Sequence, residues 1–461
     1  MELVKAKVIV SKIARENSVS IQTAWDMLFF DEVIYRLSKS RYKSMFIFKG
    51  GLYLQSITGI KSRSTMDMDF KLVGSELSNE KLIKIFSELC EDESGSNIKF
   101  NIKSVSDITA ETKYGGKTIK LEASFFNIKK NFGIDVGFGD VVTPYPLNYQ
   151  YESLINSTTY DILAYPIETI IAEKFETLIS KGINNSRSKD LYDIYLLNNM
   201  NFNEEILNSA MINTFSLRGT LYDKEFIYNT LNDISTYERS MDLFNNYKKK
   251  NKFVEGITFE MCMEAAYKVF SILVFNTRVP LKDYNITIHI VRHGKADDNS
   301  IGGWSESHLT EEGIKEIEKL KLEIDSEYDM LISSDLNRAK ESAIILNDRL
   351  NANIVYNPSF RETNNGKLKN LTKEEFEKDY SGLYYSALKM NEKYPEGESP
   401  IEFENRIREA FMKMLINNKG KKILLVTHGG VISVILCLLN GWPYNNTLKI
   451  APNTGNIIKL N

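Results

Sequence analysis

The sequence predicts two folded domains, an α+β domain followed by an α/β domain. Three observations carry this. The 461 residues exceed the size at which one hydrophobic core keeps growing. From about residue 286, short apolar runs alternate with amphipathic helical stretches, the pattern of a parallel sheet with helices on both faces. All four histidines fall at or after position 289, so the chemistry open to the two halves differs.

The elements follow in order. Residues 20–39 read as a helix with Ser20 as N-cap and Trp25, Leu28, Phe29, Val33 and Leu37 along one stripe. Residues 45–48 form a short strand ahead of Lys49-Gly50-Gly51, and 66–73 form a second. A helix over 79–90 and strands over 97–104, 117–126 and 131–138 follow. From 154 to about 278 the pattern is mostly helical. The polar, proline-containing stretch 279–285 is the predicted linker between domains 1–278 and 286–461. After it, strands at 286–291, 329–333, 353–356 and 421–427 alternate with helices at 310–322, 335–350, 372–379, 400–417 and 430–440.

Composition excludes several classes. A net charge of −3 argues against a strongly basic nucleic-acid binder. Cys90, Cys262 and Cys437 share no metal-ligand spacing, and an odd, sparse count suits a reducing cytoplasm. The N-terminus lacks the apolar core of a signal peptide. The longest apolar stretch, 423–439, contains His428 and is too short for a bilayer span.

Two histidine strings stand at predicted strand ends, Arg292-His293-Gly294 and Thr427-His428-Gly429-Gly430. Ligands of open α/β sheets bind at the carboxyl ends of the strands. Between them come Ser333-Ser334-Asp335-Leu336-Asn337-Arg338, Arg361-Glu362-Thr363-Asn364-Asn365-Gly366 and Pro395-Glu396-Gly397-Glu398-Ser399. Guanidinium forks suit phosphate oxygens, and an imidazole can attack phosphorus in line. Residues 286–461 resemble the histidine phosphatase superfamily, the phosphoglycerate-mutase-like fold, in the type, order and spacing of these segments. The resemblance implies His293 as nucleophile, Arg292, Arg338 and His428 as phosphate pocket, and Glu362 as acid/base, with no cofactor. The substrate would be a phosphorylated small molecule, a nucleotide or a nucleic-acid end, and phosphatase and mutase differ in rim residues. Glu316, Leu368 and Asn370 depart from the family pattern, where glutamine, tryptophan and glycine are common.

In the first half, Asp67 and Asp69 stand two apart in a predicted strand and so share a face, a natural Mg²⁺ site. Asp135 on a later strand is a third carboxylate. Three could hold two metals, one activating a hydroxyl and one steadying a leaving pyrophosphate. Gly50-Gly51 lets backbone N–H groups approach a triphosphate. With Glu168 to Lys174 and Arg187-Ser188-Lys189-Asp190, residues 1 to about 275 resemble the AbiEii/AbiGii-type nucleotidyltransferases, of polymerase-β-like fold. That resemblance implies an abortive-infection or toxin–antitoxin role in phage defence, an NTP with Mg²⁺ and an RNA (tRNA) or protein acceptor, with an antitoxin as a candidate partner. It also implies that Lys174 contacts the nucleotide phosphates and that Asp190 assists catalysis. Read without it, both are surface helix charges. Leu52 stands where the family usually has a hydroxyl residue after the glycines. A second reading therefore stays open, in which a degenerate first half serves as a nucleic-acid- or protein-binding module that targets the phosphatase.

The expectation is a cytoplasmic, membrane-free bifunctional enzyme. A mixed nucleotidyltransferase sheet with a helical tail comes first, and an α/β sandwich of histidine phosphatase type second.

Overall fold

The structure, a computed structural model, describes residues 2–460 except 63, 64, 66, 75, 76, 92–94, 109–114, 156, 157, 298–300 and 326. It divides into two compact units, Met1–Ile272 and Leu273–Asn461.

The first unit opens with α1 (Leu3–Asn17) and α2 (Ile21–Lys39), whose N-cap Ser20 accepts from the Thr23 N–H at 3.0 Å. Next come β1 (Phe46–Lys49), α3 (Gly50–Thr58), β2 (Met68–Leu72) and α4 (Asn79–Glu91). The strands β3 (Lys99–Asp107), β4 (Gly116–Phe125), β5 (Ile128–Gly137), β6 (Leu147–Glu152) and β7 (Thr159–Ala164) complete a seven-stranded sheet ordered β3-β4-β5-β2-β1-β7-β6. The sheet is mixed: β2 runs parallel to β5 and antiparallel to β1. Six helices follow, α5 (Ile167–Lys181), α6 (Ser188–Asn198), α7 (Glu204–Arg218), α8 (Lys224–Thr236), α9 (Glu238–Lys250) and α10 (Phe259–Ile272).

Three differences from the sequence reading have physical causes. Residues 159–164, expected within a helical stretch, form β7, because Tyr160, Ile162 and Ala164 alternate inward beside β1. The helix α1 escaped notice because it buries only Ala6, Val10, Ile13 and Ala14. The second strand is described from Met68, with Asp67 before it outside the strand; Met66, Arg63 and Ser64 lie outside the described residues. Asp67 therefore stands on the approach to β2, and strict alternation covers Asp69 alone.

The second unit comprises β8 (Thr287–Arg292), α11 (Glu311–Glu323), β9 (Met330–Ser333), α12 (Asn337–Leu350), β10 (Ile354–Tyr356), α13 (Lys373–Asp379), α14 (Pro400–Asn417), β11 (Lys422–Thr427), α15 (Gly429–Asn440) and β12 (Ile457–Leu460). Its sheet order is β10-β9-β11-β8-β12. Four strands are parallel, as expected, but β12 joins β8 antiparallel and makes the sheet mixed. Fully buried runs such as Ile423–Val426 fill both faces between helices. The stretch read as a linker packs with this unit: Leu281 joins its core, and the Val279 N–H donates to Leu438 O at 2.9 Å. Among the described residues no helix is long and apolar enough to cross a membrane.

Candidate active sites

In the second unit, β8 and β11 lie side by side with Arg292 opposite Thr427, so His293 and His428 leave adjacent strand ends together. Their ring centroids are 5.1 Å apart, and the His293 N–H donates to Thr427 O at 3.0 Å. His293 Nδ1 lies 2.7 Å from Gly294 O. A carbonyl only accepts, so Nδ1 carries the proton and Nε2 keeps its lone pair. Arg338 Nε, at the start of α12, donates to that Nε2 at 3.3 Å. The Arg338 fork also holds Gly303 O at 2.7 Å and Ser305 at 3.3 Å. Arg292 donates to Pro452 O at 2.8 Å. Among the described residues, Arg292 Nε and His428 Nδ1 are buried without a hydrogen-bond partner.

Both imidazoles are neutral. Burial above all, and then Arg338 and Arg292, hold His293 down at about 3. Burial, then Arg338, His293 and Arg292, hold His428 well below the usual histidine range. Burial also lowers both guanidinium groups, which the Glu362 carboxylate opposes. The pocket thus concentrates positive charge around two buried nitrogens without partners, a field that suits a dianionic phosphoryl group.

Glu362 completes the cluster. Its Oε2 accepts from the Gly430 N–H at 3.0 Å, in the first turn of α15, and its Oε1 from the Thr363 N–H at 3.0 Å. A Cβ on Gly430 would lie 2.3 Å from Glu362 Oε1, so only glycine lets the carboxylate sit there. Supporting groups went unread in the sequence. Ser334 Oγ is 2.8 Å from His428 Nε2, and Ser342 Oγ accepts from the Gly294 N–H at 3.1 Å. Arg406 and Trp304 Nε1 both donate to Glu362 O. Arg361 is turned away by a bidentate pair with Asp335. The departures have local roles. Glu316 accepts from the Lys295 N–H at 2.9 Å, Leu368 is fully buried, and Asn370 occupies φ 66°, where asparagine substitutes well for glycine.

In the first unit, Asp69 on β2 stands directly opposite Asp135 on β5, and Thr118 Oγ1 donates to Asp135 at 2.6 Å. Gly50, at φ 73°, opens α3 against them; a Cβ there would lie 1.9 Å from Asp69 Oδ2. Gly51 likewise makes room for Thr65, whose Oγ1 accepts from the Asp67 N–H at 3.2 Å. Leu52 is buried in α3 and offers no hydroxyl; Thr65 and Thr118 are the hydroxyls beside the aspartates. Burial raises the Asp69 carboxyl, as do Asp67 and Asp135, while Lys49 and Lys174 oppose this. Lys189 Nζ reaches Asp67 at 3.7 Å. Among the described residues no three acidic, histidine or cysteine side chains already converge as a metal cluster. Mutual repulsion at Asp69 and Asp135 nevertheless fits a hard cation held by oxygen ligands.

Lys174 and Asp190 are not surface charges, as the residue-only reading had it. Asp190 is 1% exposed, and Lys174 Nζ lies 2.6 Å from it and 2.9 Å from Asp193. Two helices, α5 and α6, lock together through this pair. Burial pulls the Lys174 ammonium down, but Asp193 and Asp190 more than offset it and leave it raised. Lys49, just before Gly50, is bound to Asp140 at 2.5 Å and lies 3.7 Å from Glu173; Arg218 adds Glu176 at 2.7 Å.

Two family models match. One, described as nucleotidyl transferase AbiEii toxin, Type IV TA system, covers residues 32–265. The other, histidine phosphatase superfamily (branch 1), covers 288–461. Among curated relatives, the "Probable phosphoglycerate mutase GpmB" of Yersinia pestis (strain Pestoides F) is 32% identical over 164 residues, 34% of this chain and 76% of that protein. Its counterpart in Yersinia pseudotuberculosis serotype I (strain IP32953) matches to the same extent. Among solved structures, the alpha-ribazole phosphatase from Shigella flexneri is 23% identical, with a TM-score of 0.35, over 38% of this chain and 90% of that one.

Proposed function

From a chain that belongs to the AbiEii nucleotidyl transferase toxin family in its first unit and to the histidine phosphatase superfamily in its second, we propose two phosphate chemistries on separate sites. The second unit hydrolyses phosphomonoesters through a phosphohistidine. The observation that carries this is the buried Arg292 Nε and His428 Nδ1, both lacking partners, around a His293 Nε2 lone pair. Nε2 attacks phosphorus, the N–P bond forms and the P–O bond breaks. Protonated Glu362 gives its proton to the leaving oxygen. Water then attacks the phosphohistidine, Glu362 takes back a proton, and inorganic phosphate leaves. Arg292, Arg338 and His428 stabilise the charge on the phosphoryl oxygens. The test is trapping of acid-labile phosphate. Wild type should carry it, and His293→Ala should lose it along with at least about 10⁴-fold in kcat. Equal labelling of the variant would remove His293 as nucleophile.

The first unit transfers a nucleotidyl group from an NTP to an acceptor hydroxyl of RNA or protein. Asp67, Asp69 and Asp135 would hold Mg²⁺, which when bound would polarise the phosphates and lower the pKa of a bound hydroxyl. The Gly50-Gly51 turn opens α3 beside Asp69, and Lys174 with Asp190 stands within electrostatic reach of it. Nucleotide incorporation by wild type should fall about 10²- to 10³-fold in Asp69→Asn. Phosphatase activity should be unchanged in that variant. Undiminished incorporation by Asp69→Asn would return the first unit to the role of a binding module.

A further inference from the structure

A cavity of about 510 Å³ has Arg292, Glu362, Gly429 and Gly430 in its wall, beside the histidine pair, and so offers room for a leaving alcohol. Its walls are largely rings and aliphatic groups, with Ile301, Phe376, Tyr384, Tyr385, Tyr394 and Tyr444 prominent. Phe376 and Tyr394 belong, with Leu368 and Leu388, to a small core of their own. The Tyr385 and Tyr444 hydroxyls lie 2.9 Å apart and bind each other, so both rings turn faces and edges to the cavity while their polar ends are satisfied. At the rim, Tyr384 is 49% exposed and its ring meets Phe376 at a tilt, with centroids 5.0 Å apart.

Charge narrows the choice. Among the described lining residues the cations are Arg292, assigned to the phosphoryl group, and Lys449, which is exposed. A leaving group with its own carboxylate or second phosphate would have to reach Lys449 or be desolvated against tyrosine rings and aliphatic groups. A flat, neutral ring system would instead replace water against tyrosine faces. A volume of about 510 Å³ lies in the range of pockets that take a whole small molecule rather than a single small group.

Resting on the phosphohistidine reading of this unit, we propose that its substrate class is the nucleoside monophosphate, with the base held in the tyrosine chamber. Steady-state hydrolysis of the four common ribonucleoside 5′-monophosphates is compared with that of 3-phosphoglycerate and glycerol 3-phosphate, using the full chain. At least one nucleotide should exceed both acyclic esters in kcat/KM by about tenfold or more, as stacking of a base on an aromatic ring predicts. Tyr384→Ala, a rim change that leaves the core intact, should lower the nucleotide value about tenfold and the glycerol 3-phosphate value less than about twofold. Equal or better use of 3-phosphoglycerate overturns the substrate class and leaves the phosphohistidine intact. So does a Tyr384→Ala loss shared by all substrates. Failure of every ester, with no acid-labile phosphate on the protein, overturns both.

Discussion

The two units bury cations in opposite ways. In the first, Lys49, Lys174 and Arg218 are each locked to carboxylates, and Lys174 spans Asp190 and Asp193. In the second, Arg292 and Arg338 lie in the interior with carbonyls and imidazoles as their hydrogen-bond partners, and Arg292 Nε has none. A paired cation holds a fold together; a cation left short of anions is set for a ligand. By this contrast the histidine-lined pocket of the second unit keeps guanidinium groups without carboxylate hydrogen-bond partners. In the first unit the buried cations are paired, and Asp69 is raised by burial and by its neighbours Asp67 and Asp135.

The contrast can be broken at several points. Glu362→Gln removes the proton carrier and should cost about 10²- to 10⁴-fold in kcat of the second unit. Gly430→Ala, which pushes a methyl into the carboxylate, should cost about 10²-fold by displacement alone. A full rate in either would detach Glu362 from the reaction. Next, Lys174→Met takes a cation from the buried Asp190 and Asp193, leaving Arg187 on Asp190, and denaturant unfolding of the first unit should show a loss of about 3 kcal/mol. Arg292→Met should change the second unit by less than about 1 kcal/mol, because a lost hydrogen bond is offset by removal of a poorly paired charge. Equal losses in the two variants would erase the distinction.

Another effect is in pH. His293 is held at about 3 in the fold, against an ordinary value of 6.5. Between these values the unfolded chain binds more protons than the folded one. The neutral ring therefore supports the fold above 6.5, and that support is lost as pH falls toward 3. The melting temperature of wild type should thus fall more steeply from pH 6.5 to about 4 than that of His293→Gln. Parallel curves would mean that the ring is not held neutral by burial.

Legibility in the sequence also differed between the units. Arg292, His293, Arg338 and His428 could be placed because each sits in a short string at a strand end or helix start, and alternation fixes where those ends lie; Glu362 lies in the loop after Phe360 and rested on its string alone. Asp69 and Asp135 were visible through strand periodicity, but their direct opposition depends on the β2–β5 register, which no local pattern carries. Lys49 was read only as the residue before two glycines; its partner Asp140 is 91 positions away. Ser334 lies 94 positions from His428, and a serine after a strand gives no sign of what it will meet. Short elements failed for a related reason: β7 and β12 owe their form to the strands beside them.

The stretch from His428 to Gly430 carries a consequence for how this scaffold can change. His428 is the residue before α15 and stands beside His293, while the Gly430 N–H holds the Glu362 carboxylate. Two peptide units thus act as a fixed ruler between the place proposed to stabilise charge and the place proposed to move the proton. The tyrosine chamber comes chiefly from other stretches, among them Phe376 and Tyr384 to Tyr394. Substitutions there can retune which alcohol departs without touching the ruler, so specificity and reactivity are free to evolve on separate segments.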